Sequence, residues 1–450
     1  MRSFRHKFAA LFTTTLLSGL PQISPAVEVA VNNLGDVLLF PFFTTRNQYS
    51  TFLDIANTSQ HTLALKVNVR NATDGSSCAR FIVTLSPRDV WIAAIENNGG
   101  TPRIRVPGDK SCTFPSSAAN NNQIVTLNSC AEGSIEVIEM GYSKNNPDND
   151  RGTVAFRAKQ GLCDRIETSF NQANGLSGIR QEFHEPINVL KGTYTLIKGP
   201  QGKAVGGLAV ALADFYSPNL INGKGTDGVS KGDLIFNAAD EHPNLADVNP
   251  RESVLKTDNP AITALTIAAP VETFVDRWSS AADAVSAALS AASVHNNWTS
   301  NPKFGAETDA IINFPTKYLY ASTIPFASGC NSTNIVVTDR ASKSVTQATD
   351  LCNQTNVVTF DNKNVTGSEF SINIDTLANN FGSPSGWFSI DLTPGDGGGL
   401  AGNVSGRSYR GLPAIGLSLV TRSVLNANSV DSTRSFGTAW AHAYYRKVTE

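Results

Sequence analysis

The side chains in this 450-residue chain that could do chemistry are few and scattered. Gly228-Val229-Ser230-Lys231-Gly232 has the G-x-S-x-G spacing of a nucleophile elbow, which needs a strand before the serine and a helix after it. Here a glycine-rich loop precedes the motif and the strand-like Asp233-Leu234-Ile235-Phe236 follows, so Ser230 reads as part of a flexible turn. His61, His184, His242, His295 and His442 make no H-E-x-x-H pair, and Pro186 after His184-Glu185 would interrupt a metal-binding helix. Asp240, Glu241, His242 and Asp247 share one polar loop and form the best local set of metal ligands, although solvated loop acids are the commoner outcome. Asp148 and Asp150, before Gly152, offer the start of a calcium site, but Lys159 stands where an EF-hand needs its closing glutamate. The Gly395–Gly399 run lacks the Lys-Ser/Thr of a phosphate loop and reads as a turn. No catalytic, cofactor-binding or metal-ligating residue is therefore assigned.

Cysteine offers more. Cys78, Cys112, Cys130, Cys163, Cys330 and Cys352 all follow residue 26, and an even set of this kind suits disulfides in an oxidising compartment. No C-x-x-C spacing occurs, which argues against zinc. Cys330 and Cys352 lie far from the rest and are expected to pair with each other. Pairing of the other four stays open at this level.

The beginning of the chain fits such a compartment. Arg2, Arg5 and Lys7 precede an apolar run from Phe8 to Leu20, and Ser24 and Ala26 suit cleavage after Ala26, so residues 1–26 read as a secretory signal peptide. Its loss would remove three basic residues and take the net charge from −2 to −5. A mildly acidic chain without a Lys/Arg block has no electrostatic footprint for nucleic acid. No later run is long enough for a transmembrane anchor, which needs about 20 apolar residues.

Short strands must position whatever site exists. From Leu34 to Ile95 they follow one another closely, broken by turns such as Asn57-Thr58-Ser59 and Ser86-Pro87-Arg88-Asp89. Leu63, Leu65, Val67 and Val69 alternate with Lys66, Asn68 and Arg70, the pattern of a half-buried strand. Further strands are expected at 124–127, 134–140, 153–157, 193–197 and 204–215, with a short helix from Cys163 to about Ala173. Residues 27–216 thus form an N-terminal β-sandwich of immunoglobulin-like or jelly-roll-like type. Residues 217–301 read as a loop-rich connector. Its Phe274, Trp278, Ala281, Val285, Leu289 and Ala292 recur at helical spacing, predicting an Ala-rich helix over about 271–295. Residues 302–450 supply eight more short strands, a second β-sandwich. Asn-x-Ser/Thr sequons at Asn57, Asn71, Asn297, Asn331, Asn353, Asn364 and Asn403 mark expected surface turns.

Taken together, GDVLLFPFFTT, LSPRDVW, GDKSCT, IEVIEMG, TDAIINFPTKYLY, NVVTF, GLPAIG and FGTAWAHAYYR resemble an uncharacterised family of secreted, signal-peptide-bearing β-rich proteins of Gram-negative bacteria. The segments run from about residue 34 to 446. The resemblance implies secretion and a β-rich architecture and brings no activity. It also implies a pairing: Cys112 and Cys163 fall in segments that look like the family's, whereas Cys78 and Cys130 look like additions, favouring Cys78–Cys130 and Cys112–Cys163. The rival is Cys112–Cys130 with Cys78–Cys163.

The function expected from these features is non-enzymatic: a secreted structural or adhesive protein at the cell surface or in the periplasm, binding a protein or glycan surface. Two alternatives are kept. One is a carbohydrate-active hydrolase whose carboxylates converge only in space. The other is a self-assembling fibre subunit that donates the extended run Val27–Asn33 to a neighbour's sheet.

Overall fold

Strand Thr62–Asn71 sets the pattern of the N-terminal half. Leu63, Leu65, Val67 and Val69 point to one face, where they meet Leu53, Ile55, Trp91, Ile95 and Ile104 of a facing sheet. In the computed structural model, which describes residues 26–119, 122–128, 130–171, 175–216, 233–257, 272–320, 325–326, 329–376, 378–393, 399–400, 403–426, 429–445 and 447–449, the residues up to 216 build an 8-stranded and a 7-stranded antiparallel sheet packed as a sandwich. Ser230, Pro270, Val271, most of the Gly395–Gly399 run and the leader up to residue 25 lie outside the described residues. Among the described residues strands make up 53% and helices 12%, so the fold is mainly β.

A second sandwich follows, of two 5-stranded sheets. Its outer sheet runs Ser344–Leu351, Asn331–Asp339, Ser385–Asp391, Ser293–Thr299 and Ala443–Tyr445 in spatial order. Its inner sheet runs Ser371–Ile374, Thr355–Phe360, Glu307–Asn313, Ile415–Asn426 and Ser429–Ala441. The inner sheet is buried on both faces. Ala310, Ile312, Val358 and Phe360 face their own sandwich, while Ile311, Val357, Leu417 and Leu419 pack into the core of the N-terminal one. Consecutive apolar pairs such as Ile311-Ile312 and Val357-Val358 follow from this double burial.

The three disulfides are Cys78–Cys130, Cys112–Cys163 and Cys330–Cys352. The first two staple strands of the N-terminal half to a loop and to helix Cys163–Asn171, and the third ties the base of the Asn331–Asp339/Ser344–Leu351 hairpin.

Several expectations need correction. The helix expected over 271–295 is confined to Ala281–Leu289. Before it, Glu272–Arg277 is a strand paired with Glu252–Thr257; after it, Ser293–Thr299 is an inner strand of the outer sheet. Helix survives only where Ala and Leu dominate and is buried nearly all round; Thr273, Phe274, Val275, Val294 and Trp298 favour strands, and partner strands are present. The second sandwich accordingly begins at Ser293 rather than 302. Val154–Lys159 is a helix, not a strand, with the Thr153 hydroxyl accepting from Phe156 N at its start. Asn57 and Asn331, marked as surface turns, are buried: their amides donate to His61 O and Ser86 O, and to Pro325 O.

Candidate binding groove

The predicted metal candidates are consumed by their own loops. His242 Nδ1 lies 2.8 Å from Asp247 Oδ2, which also accepts from Asn244 N; Glu241 pairs with Arg80 at 2.9 Å; Asp240 Oδ2 accepts from Asn237 N. Asp148 is ion-paired with Lys159 at 2.5 Å, and Asp150 accepts from Asn146 N. Among the described residues no group of three or more His, Cys, Asp or Glu could hold a metal ion. The extended run that a fibre subunit would donate is already paired within the chain, Glu28–Val29 with Val210–Ala213 and Val27 with Ser253.

The loop carrying Asp240 to Asp247 has a different job. It covers the polar face of strand Thr62–Asn71, so Lys66 is 0% exposed and Asn68 and Arg70 are also buried. This overturns the half-buried reading of that strand. Lys66 Nζ donates to the carbonyls of Asn237, Ala238 and Asp240 at 2.7–2.9 Å, and Asn68 Nδ2 donates to Pro243 O at 3.0 Å. Buried polar groups need such partners, and the strand uses them as clamps on a chain segment about 170 residues away. These residues are enclosed and serve architecture.

The accessible site lies on the second sandwich. Trp387 and Phe388 are adjacent on strand Ser385–Asp391, so they must point to opposite faces; Phe388 enters the core and Trp387 is left 45% exposed on the outer face. That adjacency is the sequence signal for the site, and it was missed because an aromatic in a strand reads as core. Opposite Trp387 across the sheet stands exposed Asn297, whose side-chain amide has no hydrogen-bond partner among the described residues. On one side of Trp387 opens a groove of about 750 Å³. Phe304 (49% exposed), Trp440, Arg340, Arg422 and Asn301 line it, and the Arg422 guanidinium lies 5.8 Å from the centre of the Trp440 ring. On the other side a hollow of about 360 Å³ is bounded by His295, Asn296, Asn297, Ala441 and Ala443. Trp298, next to Asn297 on its strand, also borders the groove, but its ring is buried in the core against Phe360 and its indole donates to Thr338 O at 3.2 Å.

The groove offers aromatic faces, amides and guanidinium groups. Asp339, the carboxylate in its lining, is occupied: it accepts from the backbone N–H groups of Ala341, Lys343, Gly382 and Ser383. Burial pushes its carboxyl up, but these donors outweigh that and hold it below the usual aspartate range. Ser293 Oγ sits 2.8 Å from His295 Nε2 at the edge of the smaller hollow, a nucleophile–base spacing; His295 Nδ1 has no orienting partner among the described residues.

The chain matches no family model and no curated protein sequence. Among solved structures it overlays on the 7S globulin of Momordica charantia at 10% identity, over 88% of this chain and 75% of that one, with a TM-score of 0.16. An overlay this loose carries no argument. The class rests on the chain's own architecture: a mainly β, disulfide-bonded protein of two packed sandwiches.

Proposed function

We propose that this is a secreted, non-enzymatic binding protein of structural or adhesive kind, and that its second sandwich holds a glycan chain across Trp387. The observation that carries the reading is the exposed Trp387 indole standing between two hollows. A pyranose ring has an apolar face of C–H bonds and a rim of hydroxyls. Trp387, Phe304 and Trp440 can take the apolar faces, while Asn297, Asn301, Arg340 and Arg422 supply donors and acceptors for the rim. Hollows on both sides suit a chain of sugars better than one. Three disulfides fit an oxidising compartment, and among the described residues no helix is long and apolar enough to cross a membrane.

Hydrolysis is the less favoured reading, because Asp339 is committed to four backbone donors and glycoside cleavage needs a pair of working carboxylates. The Ser293–His295 pair keeps an esterase reading in view. Affinity electrophoresis of the full chain in gels cast with neutral and acidic polysaccharides tests the proposal. Retardation by at least one polysaccharide, lost in Trp387→Ala and without release of sugar or acyl groups, is expected; unretarded migration throughout would sink it.

A further inference from the structure

Lys198 and Lys203 close the hairpin of strands Leu190–Lys198 and Lys203–Leu208, and the register sets them directly opposite each other. The connecting turn is one 3-10 helix, Gly199–Gln201, followed by Gly202 at a φ of 61°, which glycine adopts without strain. Like charges directly opposite across a ladder are destabilising. These two are also withdrawn from water, at 7% and 8% exposure. Burial, and then the charge of Lys203, pushes Lys198 below the usual lysine range. Lys203 Nζ lies 3.7 Å from Glu307 Oε2. The Lys198 ammonium lies 5.7 Å from the centre of the Tyr49 ring and feels the Glu307 carboxylate at longer range, with no direct hydrogen bond or ion pair to a described residue.

Both lysines line a cavity of about 400 Å³ where the two sandwiches meet. The opposite wall is the loop that follows strand Thr355–Phe360, contributing Asn362, Lys363 and Asn364. That wall is held in place. Asn47 Nδ2 donates to Val365 O at 2.8 Å, Asn362 N donates to Asn373 Oδ1 at 2.6 Å, and buried Asp309 accepts from Val365 N and Thr366 N. Three ammonium groups and one carboxylate, Glu307, line the cavity, an excess of 3 − 1 = 2 positive charges. Asn47, Asn362 and Asn364 add amides.

We propose that this cavity binds an oxyanion group, a phosphate or a sulfate, between Lys198 and Lys203. An anion there would relieve both the opposed charges and the unpaired Lys198, and charge-assisted hydrogen bonds to a tetrahedral oxyanion are the strong kind. The group can come free or as a substituent on a larger chain. The second source is within reach because one chain segment serves both sites: Gly305 and Glu307 line the cavity, while Phe304 and Ala306 line the groove at Trp387.

Isothermal titration of the full chain at matched ionic strength tests this, with inorganic sulfate, inorganic phosphate, dextran sulfate and uncharged dextran as probes against a chloride background. The expected result is saturable binding of both inorganic anions, at least about tenfold weaker in Lys198→Gln and tighter in Glu307→Gln, which removes the competing carboxylate. Lys198→Gln discards a buried charge, so its anion-free melting temperature should equal or exceed that of the wild type. Dextran sulfate binding more tightly than sulfate, and losing that advantage in Lys198→Gln, would assign the group to a substituted chain; equal or weaker binding would assign it to the free ion. Absence of saturable binding for every anion, or unchanged affinity in Lys198→Gln, would overturn the proposal. Since the groove is read out by Trp387→Ala, the two sites can fail separately.

Discussion

Arg70 and Glu136, on neighbouring strands of the first sandwich, are joined through Arg70 Nε and Nη2 to Glu136 Oε2 at 3.2 and 3.0 Å, with both side chains almost completely removed from water. The Arg70 guanidinium lies 3.8 Å from the centre of the Tyr318 ring, and Tyr318 donates to Glu136 Oε2 at 3.4 Å. The ion pair therefore reaches from the first sandwich to a residue of the second half. Removing one partner strands the other charge in the interior, which typically costs about 3–5 kcal/mol, whereas replacing both by apolar residues of similar volume is close to neutral. Arg70→Met and Glu136→Met should each lower the urea midpoint strongly, and the double replacement Arg70→Met/Glu136→Met should recover most of the loss. Simple addition of the two penalties would show that the residues are not coupled.

Lys66 is expected to act as the anchor of the loop over 233–249. Its ammonium donates to three carbonyls of that loop, which no uncharged side chain can replace. Lys66→Met should leave the sandwich folded and make the loop open more often. Limited proteolysis reads this directly: new cleavage within 233–249 in the variant supports the anchor, and a wild-type digestion pattern refutes it.

His442 gives the chain an acid sensitivity with a defined sign. It is buried; Nε2 lies 2.9 Å from Ile311 O, and Nδ1 lies 3.0 Å from Asn296 Nδ2, so the ring is neutral, donating to one and accepting from the other. Burial pushes its pKa down to about 4 from 6.5. The folded protein thus holds this proton more weakly than the unfolded chain. The contribution is complete above about pH 6.5 and is lost as pH falls towards 4. Between pH 7 and 4 the wild type should lose up to about 3 kcal/mol more than His442→Gln. Denaturation midpoints of the two proteins that stay parallel over this range would contradict it.

The Cys330–Cys352 bridge ties the hairpin Asn331–Asp339/Ser344–Leu351, whose second strand pairs on one side only among the described residues and alternates exposed with half-buried side chains. Closing a loop of 22 residues restrains the unfolded chain by about 3 kcal/mol in the chain-entropy model. A Cys330→Ser/Cys352→Ser variant should melt lower by a corresponding amount, checked by calorimetry against the wild type under oxidising conditions. An unchanged melting temperature would mean that the hairpin is held by its ladder alone.

Much of this fold is legible in the chain because alternation at period two survives in strands such as Thr62–Asn71 and Tyr49–Asn57. Burial of Lys66, Asn68 and Arg70 is not legible, since it depends on a cover donated by Asn237 to Pro243 far along the sequence. The helix expected over 271–295 fails for the same kind of reason: Phe274 and Val294 meet partner strands, and pairing overrides a spacing that also fits a helix. The groove draws on Asn297 to Ala306, Asp339 and Arg340, Ser385 to Trp387, and Arg422 and Trp440, so no local motif could announce it. Only the Trp387-Phe388 pair hinted that one large aromatic must face outward.

The central claim is that Trp387 is a platform for sugar. Its most direct test is the change in intrinsic tryptophan fluorescence on titrating the full chain with the polysaccharide that retards it most, compared between wild type, Trp387→Ala and the remote control Trp91→Phe. The account predicts a saturable spectral change in the wild type and the control that disappears, together with retardation, in Trp387→Ala. An undiminished change in Trp387→Ala would contradict it.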